Sequence, residues 1–365
     1  MADERRPRQT RLLAVSLDGE PASAIEEAAE ILRAGGLVAF PTETVYGLGA
    51  NACDAAAVAG IFAAKQRPLS DPLIVHIAAL DQLQTVAASV PPIAQTLAER
   101  FWPGPLTLIL PRGEAIPPIV AAGGETIGVR MPNHPVALAL LRAAALPVAA
   151  PSANRFMHTS PTTAAHVLAD LDGRIDCVLD GGPAHVGVES TVLDVTAQPP
   201  RILRPGGVTL EALRAVIPDV VGPEASAASA TNPASKVARA PGQMERHYAP
   251  QSRLLVFDAQ GEPALGAMRA EIERAIARGE RVGVLLADGE ERALAGLAIE
   301  VIQLGPINDL ALISRHLYAA LREMDSRGVN LIITHTFGTS GMGLALWDRL
   351  RRAAGGQFQA LEDEQ

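Results

Sequence analysis

From Leu12 to about Pro218, short apolar runs alternate with amphipathic Ala/Leu-rich stretches, which leaves little choice but a sheet with helices packed on it. Strands are expected at 37–40, 73–77, 106–110, 127–130, 148–150, 177–179, 191–194 and 201–203, and helices at 22–34, 55–65, 91–100, 135–145 and 162–171. Some neighbouring strands are joined by connections too short for a helical crossover, so the sheet should be mixed rather than all parallel. The pattern stops at Val221–Val237, a stretch rich in Ala, Ser and Pro with no apolar period, which reads as a linker. It restarts beyond Pro250. Strands at 254–257, 282–286, 300–304 and 330–334, with helices at about 264–278, 309–322 and 343–353, make a smaller Rossmann-like, doubly wound domain. That domain has no G-x-G-x-x-G after its first strand and no Walker A loop, so nothing marks it as a nucleotide site of its own. The organisation expected is a tail at 1–11, a first domain at 12–218, a linker and lid segment at 219–250, a second domain at 251–356 and a tail at 357–365.

Within this frame the densest stretch runs from Phe40 to Ile77. The apolar run LVAF ends at Pro41, and Thr42, Glu43, Thr44 and Tyr46 follow with Gly47 and Gly49. Polar side chains and glycines therefore gather where a strand runs out, the usual ligand position in open α/β sheets. Asp54 suits the N-cap of the next helix, which delivers Lys65 and Arg67 at its far end before Pro68 stops it. Two cations beside a small-residue turn suit a polyanion. Taken singly the signals are weak: a Lys-x-Arg at a helix end also suits a solvated pair opposing the helix dipole, and His76 also suits a strand interior.

Composition narrows the function. A formal net charge of −9 argues against a protein that coats nucleic acid non-specifically. The two cysteines, Cys53 and Cys177, lack metal-ligand or disulfide spacing, which favours a reducing cytoplasm. The sequence carries no apolar run long enough for a membrane span and no secretory pattern at its start, so no membrane partner is expected.

Four more polar clusters punctuate the first domain: Trp102-Pro-Gly-Pro; Thr126 and Arg130 in TIGVRMP, on one face of a strand; Ser152 and Asn154 in APSAN, followed by Ser160; and Glu189-Ser190-Thr191, followed by Arg204-Pro-Gly-Gly. Backbone N–H groups and hydroxyls cradle phosphates, arginine grips planar anions in a fork, and glycine permits close approach. Such a set suits a phosphate-rich ligand beside a small zwitterion.

KQRPLSDPLIVHI, WPGPLTLIL, IGVRMP, APSAN, ESTVLD and ILRPG resemble, in order and spacing, the motifs of the threonylcarbamoyl-AMP synthase (YrdC-like) family. The linker, PGQMERHYAP and the second domain are similar to the long, two-domain form. The resemblance implies a YrdC-like mixed twisted sheet with a concave basic face. It implies an adenylyl-transferring enzyme that makes threonylcarbamoyl-AMP and pyrophosphate from L-threonine, bicarbonate or CO2 and ATP, for a downstream tRNA threonylcarbamoyl transferase. By the same resemblance Thr44, His76, Arg130, Ser190 and the backbone at Ala150 are the threonine site. Lys65, Arg67, Asp71, Thr126, Ser152, Ser160 and Arg204 are the ATP site, and Tyr248 is a lid residue over the nucleotide. Lys65, Arg67 and Arg130 act by positioning, with no covalent intermediate. Mg2+ is expected with ATP, without a protein-built metal cage. Asp71 stands where the family usually carries Asn, and a carboxylate there repels phosphates unless it turns away or meets Mg2+. A tRNA or double-stranded RNA binding module without catalysis is the alternative, and a weak tRNA contact is compatible with either.

Overall fold

The computed structural model describes residues 9–15, 22–223, 240–242, 244 and 246–360. Most of the expected linker, including 224–239, lies outside the described residues, as do residues 1–8 of the expected N-terminal tail and 361–365 at the other end. The chain divides into two compact units. One comprises Met1–Phe156, Ser160–His185 and Glu189–Gln243; the other comprises Met157–Thr159, Val186–Val188 and Met244–Gln365.

In chain order the first unit runs β1 (Arg11–Ala14), α1 (Ala22–Arg33), β2 (Val38–Phe40), β3 (Gly47–Asn51), α2 (Ala55–Lys65), β4 (Ile74–His76), α3 (Leu83–Val86) and α4 (Pro92–Phe101). It continues with β5 (Leu106–Pro111), β6 (Thr126–Arg130), α5 (Pro135–Ala144), β7 (Val148–Ala149), α6 (Ala164–Leu171), β8 (Cys177–Asp180), β9 (Thr191–Asp194), β10 (Arg201–Arg204) and α7 (Leu210–Arg214). The strands form one sheet in the order β1-β8-β2-β3-β7-β4-β6-β5-β9-β10. It is mixed: β4 and β6 are parallel, as are β5 and β9, while β2–β3, β3–β7, β7–β4 and β5–β6 are antiparallel.

The two-residue period of the strands sorts their side chains into two cores. Val38, Phe40, Val148, Cys177 and Leu179 pack with Ile25, Leu32, Leu140 and Leu141 of α1 and α5. The alternate residues Ala39, Ala149 and Val178 join the other core, with Ile61 and Phe62 of α2, Leu97 of α4 and Val167 of α6. Helices therefore cover both faces, and the strand ends are where polar groups collect.

Two first-unit strands, β1 and β3, were not expected from sequence. Charged Arg11 opens β1, which pairs with β8. In β3, Gly47 and Gly49 mask the strand signal. Gly49 is there for space: a Cβ would come within 2.8 Å of Val148 Cγ1 and 2.9 Å of Phe40 Cε1.

The second unit contains β11 (Arg253–Asp258), β12 (Val282–Leu286), β13 (Glu300–Gln303), β14 (Leu331–His335) and β15 (Phe358–Ala360) in one parallel sheet, ordered β13-β12-β14-β11-β15. Helices Gly261–Ala277, Leu310–Ser326 and Met342–Ala353 supply the crossovers that parallel strands require. Met268 and Ile272 pack there against Phe257, Val284, Leu286, Leu331 and Ile333. β15 is a short exposed edge strand in the segment expected to be a tail. Among the described residues no helix is long and apolar enough to cross a membrane.

Candidate active site

The turn after β2 builds one wall. The Thr42 hydroxyl lies 2.8 Å from the Thr44 hydroxyl, donates to the Val45 carbonyl at 2.6 Å and accepts from the Thr44 and Val45 amides at 3.3 Å. This local hydroxyl network fixes a turn that a strand ended by Pro41 could not otherwise hold. Thr44 is fully buried, and Glu43 beside it is buried too. Glu43 Oε1 sits 2.7 Å from Arg130 Nη2. The contact is an ion pair off the hydrogen-bond line, so Arg130 Nη2 and both Glu43 carboxylate oxygens lack a hydrogen-bond partner among the described residues.

Arg130 ends β6, and His76 ends the parallel β4 directly beside it. Parallel pairing thus brings to one sheet edge two residues 54 positions apart in sequence. Burial, reinforced by the Arg130 guanidinium, lowers the His76 pKa to about 3, so the ring is neutral. Its Nδ1 lies 3.2 Å from the Ile74 carbonyl, to which a neutral ring donates. The WPGP turn closes on the same place: the Gly104 amide donates to the Met131 carbonyl at 2.8 Å, and Arg130 Nε donates to the Gly104 carbonyl at 3.3 Å. The Ala150 amide donates to the Ile74 carbonyl at 2.9 Å, which fixes the backbone beside His76. Thr126 is half-buried at the opposite end of β6, paired with Pro111. Four residue steps along the strand separate it from Arg130, about 13 Å.

A second group of cations surrounds Asp71. The Asp54 carboxylate caps α2, accepting from the Ala56 and Ala57 amides, and a left-handed Gln66 (φ 56°) ends the helix just after Lys65. Lys65 Nζ donates to the Ser152 and Asn154 carbonyls, each at 2.5 Å, tying α2 to the APSAN turn. Arg67 Nη2 lies 2.9 Å from Asp71 Oδ2 and also donates to the Pro72 carbonyl at 2.8 Å, while Arg67 Nε reaches the Asp71 carbonyl at 3.2 Å. Burial pushes the Asp71 carboxyl above its usual range, against the opposing pull of Arg67, Lys65 and Arg204. All three cations therefore act on one buried carboxyl. Asp71 is oriented toward Arg67, which opposes its charge without removing it.

Arg204 closes this side. Its Nε and Nη2 fork onto the Ser190 carbonyl at 3.2 and 2.9 Å, Nη2 also reaches Ser190 Oγ at 3.2 Å, and Nη1 donates to the Pro241 carbonyl at 3.3 Å. Ser190 Oγ in turn lies 2.8 Å from Thr107 Oγ1. The glycine after Arg204-Pro205 is obligatory by contact: a Cβ on Gly206 would come within 2.3 Å of the Glu189 carbonyl oxygen. Ser160 donates to Glu189 Oε1 at 2.6 Å, and Ser152 bridges β3 at Gly47. Tyr248 belongs to the second unit, buried in a left-handed conformation (φ 61°), with its ring 6.0 Å from Tyr318 and under the Arg349 guanidinium at 5.0 Å.

The donor set speaks to the expected metal. Among the described residues no group of three His, Cys, Asp or Glu side chains could hold an ion. Lys65, Arg67 and Arg204, which all act on Asp71, are instead of the charge type that suits phosphate oxygens.

Residues 30–206 match the family described as "Telomere recombination", and residues 208–355 match "Threonylcarbamoyl-AMP synthase, C-terminal domain". The chain is 45% identical over 336 residues to the threonylcarbamoyl-AMP synthase of Pyrococcus abyssi, covering 91% of this chain and 94% of that one. It is 46% identical over 334 residues to that of Bacillus subtilis, covering 91% and 93%. The crystal structure of P. abyssi Sua5 complexed with L-threonine matches with a TM-score of 0.89 at 42% identity, over 97% of this chain and 100% of the other. The chain belongs to the threonylcarbamoyl-AMP synthase family.

Several polar residues at this synthase-family site were not among those expected to bind substrate: Glu43, Thr107, His134, Asn154, His185 and Glu189. Glu43 offered a signal, an acidic residue between two threonines at a buried strand's end. His134, in MPNHP, stacks on His185 with ring centroids 6.2 Å apart. Burial and its histidine neighbour lower its pKa to about 4. Nothing in local sequence pairs residues 51 positions apart.

Proposed function

We propose that this chain makes threonylcarbamoyl-AMP and pyrophosphate from L-threonine, bicarbonate or CO2 and ATP, as a nucleotidyltransferase supplying a tRNA threonylcarbamoyl transferase. The observation that carries this reading is the convergence of Lys65, Arg67 and Arg204 on Asp71, in the same unit as the buried Arg130–His76 strand pair. The names of the long relatives point the same way.

In this reading Arg130 grips the threonine carboxylate, with Thr44, His76, Ser190 and the Ala150 backbone around the amino acid. Lys65, Arg67 and Arg204 receive the triphosphate and its Mg2+, with Ser152 and Ser160 as hydroxyl donors. Asp71 acts through Arg67, whose guanidinium it orients. Thr126 belongs to the far end of the nucleotide, a strand's length from Arg130, and Tyr248 to closure over it. The threonine nitrogen takes up CO2 as a carbamate, whose oxygen attacks the α-phosphorus as pyrophosphate leaves. No side chain need form a bond to substrate. Holding the three reactants in line supplies up to about 7 to 11 kcal/mol of barrier reduction. Positive charge on the leaving pyrophosphate adds to it. The compartment proposed is a reducing cytoplasm, which suits the free thiols Cys53 and Cys177. A weak tRNA contact remains part of the proposal, secondary to catalysis.

The test omits substrates one at a time. Pyrophosphate release is expected only with ATP, L-threonine and bicarbonate together, with the adenylate detected by mass. A rate unchanged without threonine would refute the reading.

A further inference from the structure

We propose that Glu43 is the ammonium-binding half of a zwitterion clamp whose carboxylate-binding half is Arg130, the resting ion pair opening to admit an α-amino acid between the two charges. The inference rests on the function proposed above, and it assigns a role to a residue which that reading leaves without one.

Glu43 is only 5% exposed, at the edge where β4 and β6 end. A carboxylate buried to that degree ordinarily collects several donors. Among the described residues Glu43 makes one ion pair, with Arg130 at 2.7 Å, and neither of its oxygens has a hydrogen-bond donor in line. Arg130 Nη2 is equally without an aligned acceptor. Two opposite charges are therefore buried together with unused hydrogen-bonding capacity on both, at one spot.

The surroundings hold the pair in place without satisfying it. The Glu43 backbone carbonyl accepts from the His185 amide at 3.0 Å, and the hydroxyl network of Thr42 and Thr44 pins the turn on either side. Arg130 is fixed through Nε on the Gly104 carbonyl. The other titratable groups nearby are His134, which acts on Glu43 electrostatically, His185 stacked on it, and His76 beside Arg130. His134 and His76 are held neutral by burial, which leaves Arg130 as the cation Glu43 faces.

An α-amino acid carries the complementary pair as two substituents of one carbon. Its carboxylate offers Arg130 a planar two-oxygen acceptor, and its ammonium offers Glu43 three donors. Inserting it exchanges one buried ion pair for two, with hydrogen bonds the resting pair lacks, so no charge is left alone at any stage. A ligand missing either charge strands the partner residue.

The test measures binding to the full-length protein by calorimetry, using L-threonine and 3-hydroxybutyrate, which keeps the carboxylate and β-hydroxyl but lacks the amine. Glu43→Gln is expected to lower the threonine-to-hydroxybutyrate affinity ratio by roughly tenfold or more, with ATP affinity unchanged as the check on folding. Glu43→Asp should recover part of the ratio. An unchanged ratio, whether both ligands weaken alike or neither does, would overturn the clamp while leaving the synthase reading intact. Wild-type protein that releases no pyrophosphate and does not bind threonine would overturn the synthase reading, and the clamp with it.

Discussion

The two units treat charge in opposite ways. In the first, Lys65, Arg67, Arg130, Arg204, Glu43 and Asp71 are all buried at strand and helix ends. In the second, most charges pair on the surface: Arg278 with Glu271 and Glu280, Arg327 with Glu300 and Glu323, Arg253 with Glu280. Surface pairs of this kind add little to stability and nothing to chemistry. Buried charges cost desolvation, and a fold that keeps them clustered does so where a charged ligand can repay the cost. The second unit has buried exceptions too: Arg349 is held by Asp348 and lies over the Tyr248 ring, and His335 sits on Glu290 at 2.8 Å. Among the described residues, charge burial, more than sheet topology, distinguishes the first unit from the second.

Breaking this contrast should produce graded effects. The largest is expected from Arg130→Ala, which leaves Glu43 buried and unpaired and removes the carboxylate grip. It should cost about 4 kcal/mol, roughly a thousandfold in kcat/KM for threonine, with ATP affinity nearly unchanged in steady-state assays. An equal loss for both substrates would dissolve the distinction between the two cation groups.

Lys65→Met strips the donor from the Ser152 and Asn154 carbonyls and one cation from the phosphate side. A loss of about 3 kcal/mol in the first unit's urea unfolding is expected, together with weaker ATP binding. Full stability with ATP binding alone reduced would mean the lysine is no tie at all.

Acid should unfold the first unit by way of its neutral histidines. His76 has a folded pKa of about 3 against an ordinary 6.5. The unfolded chain therefore binds the extra proton between those values. Stability is complete above pH 6.5 and falls as the pH drops toward 3, by about 2 to 3 kcal/mol near pH 4.5. His76→Gln, neutral throughout, should flatten that limb of the stability profile; an unaltered limb would assign it elsewhere.

A smaller effect is expected from Asp71→Asn, which removes a buried negative charge on which Lys65, Arg67 and Arg204 act. Calorimetry should find ATP bound about threefold more tightly, and weaker binding would show that orienting Arg67 outweighs the repulsion. Smallest of all, Arg327→Ala in the second unit should leave the urea midpoint and the activity where they were. A clear loss there would erase the contrast.

Much of this was legible in sequence because it is local. The Asp54 cap, the end of α2 at Lys65, the stop at Pro41 and the turn chemistry of WPGP and APSAN follow from neighbouring residues. β1, β3 and β15 were not. A strand opened by arginine, one threaded with glycine and a short exposed edge strand carry no apolar alternation, and each exists because a partner strand is already in place. Pairings such as Glu43 with Arg130, or His134 with His185, depend on which strands lie side by side. The ten-strand order of the first sheet, with six of its nine neighbouring pairs non-consecutive in the chain, is set by global packing rather than by any local signal.

The guanidinium of Arg204 has a further consequence. One of its edges clasps the peptide at Ser190, and the other holds the carbonyl of Pro241 at 3.3 Å, just before the chain passes into the second unit. A phosphate that draws this side chain toward itself competes with that carbonyl for the same hydrogens. On the function proposed above, nucleotide arrival would be felt at Pro241 as a swap of acceptors on a single arginine.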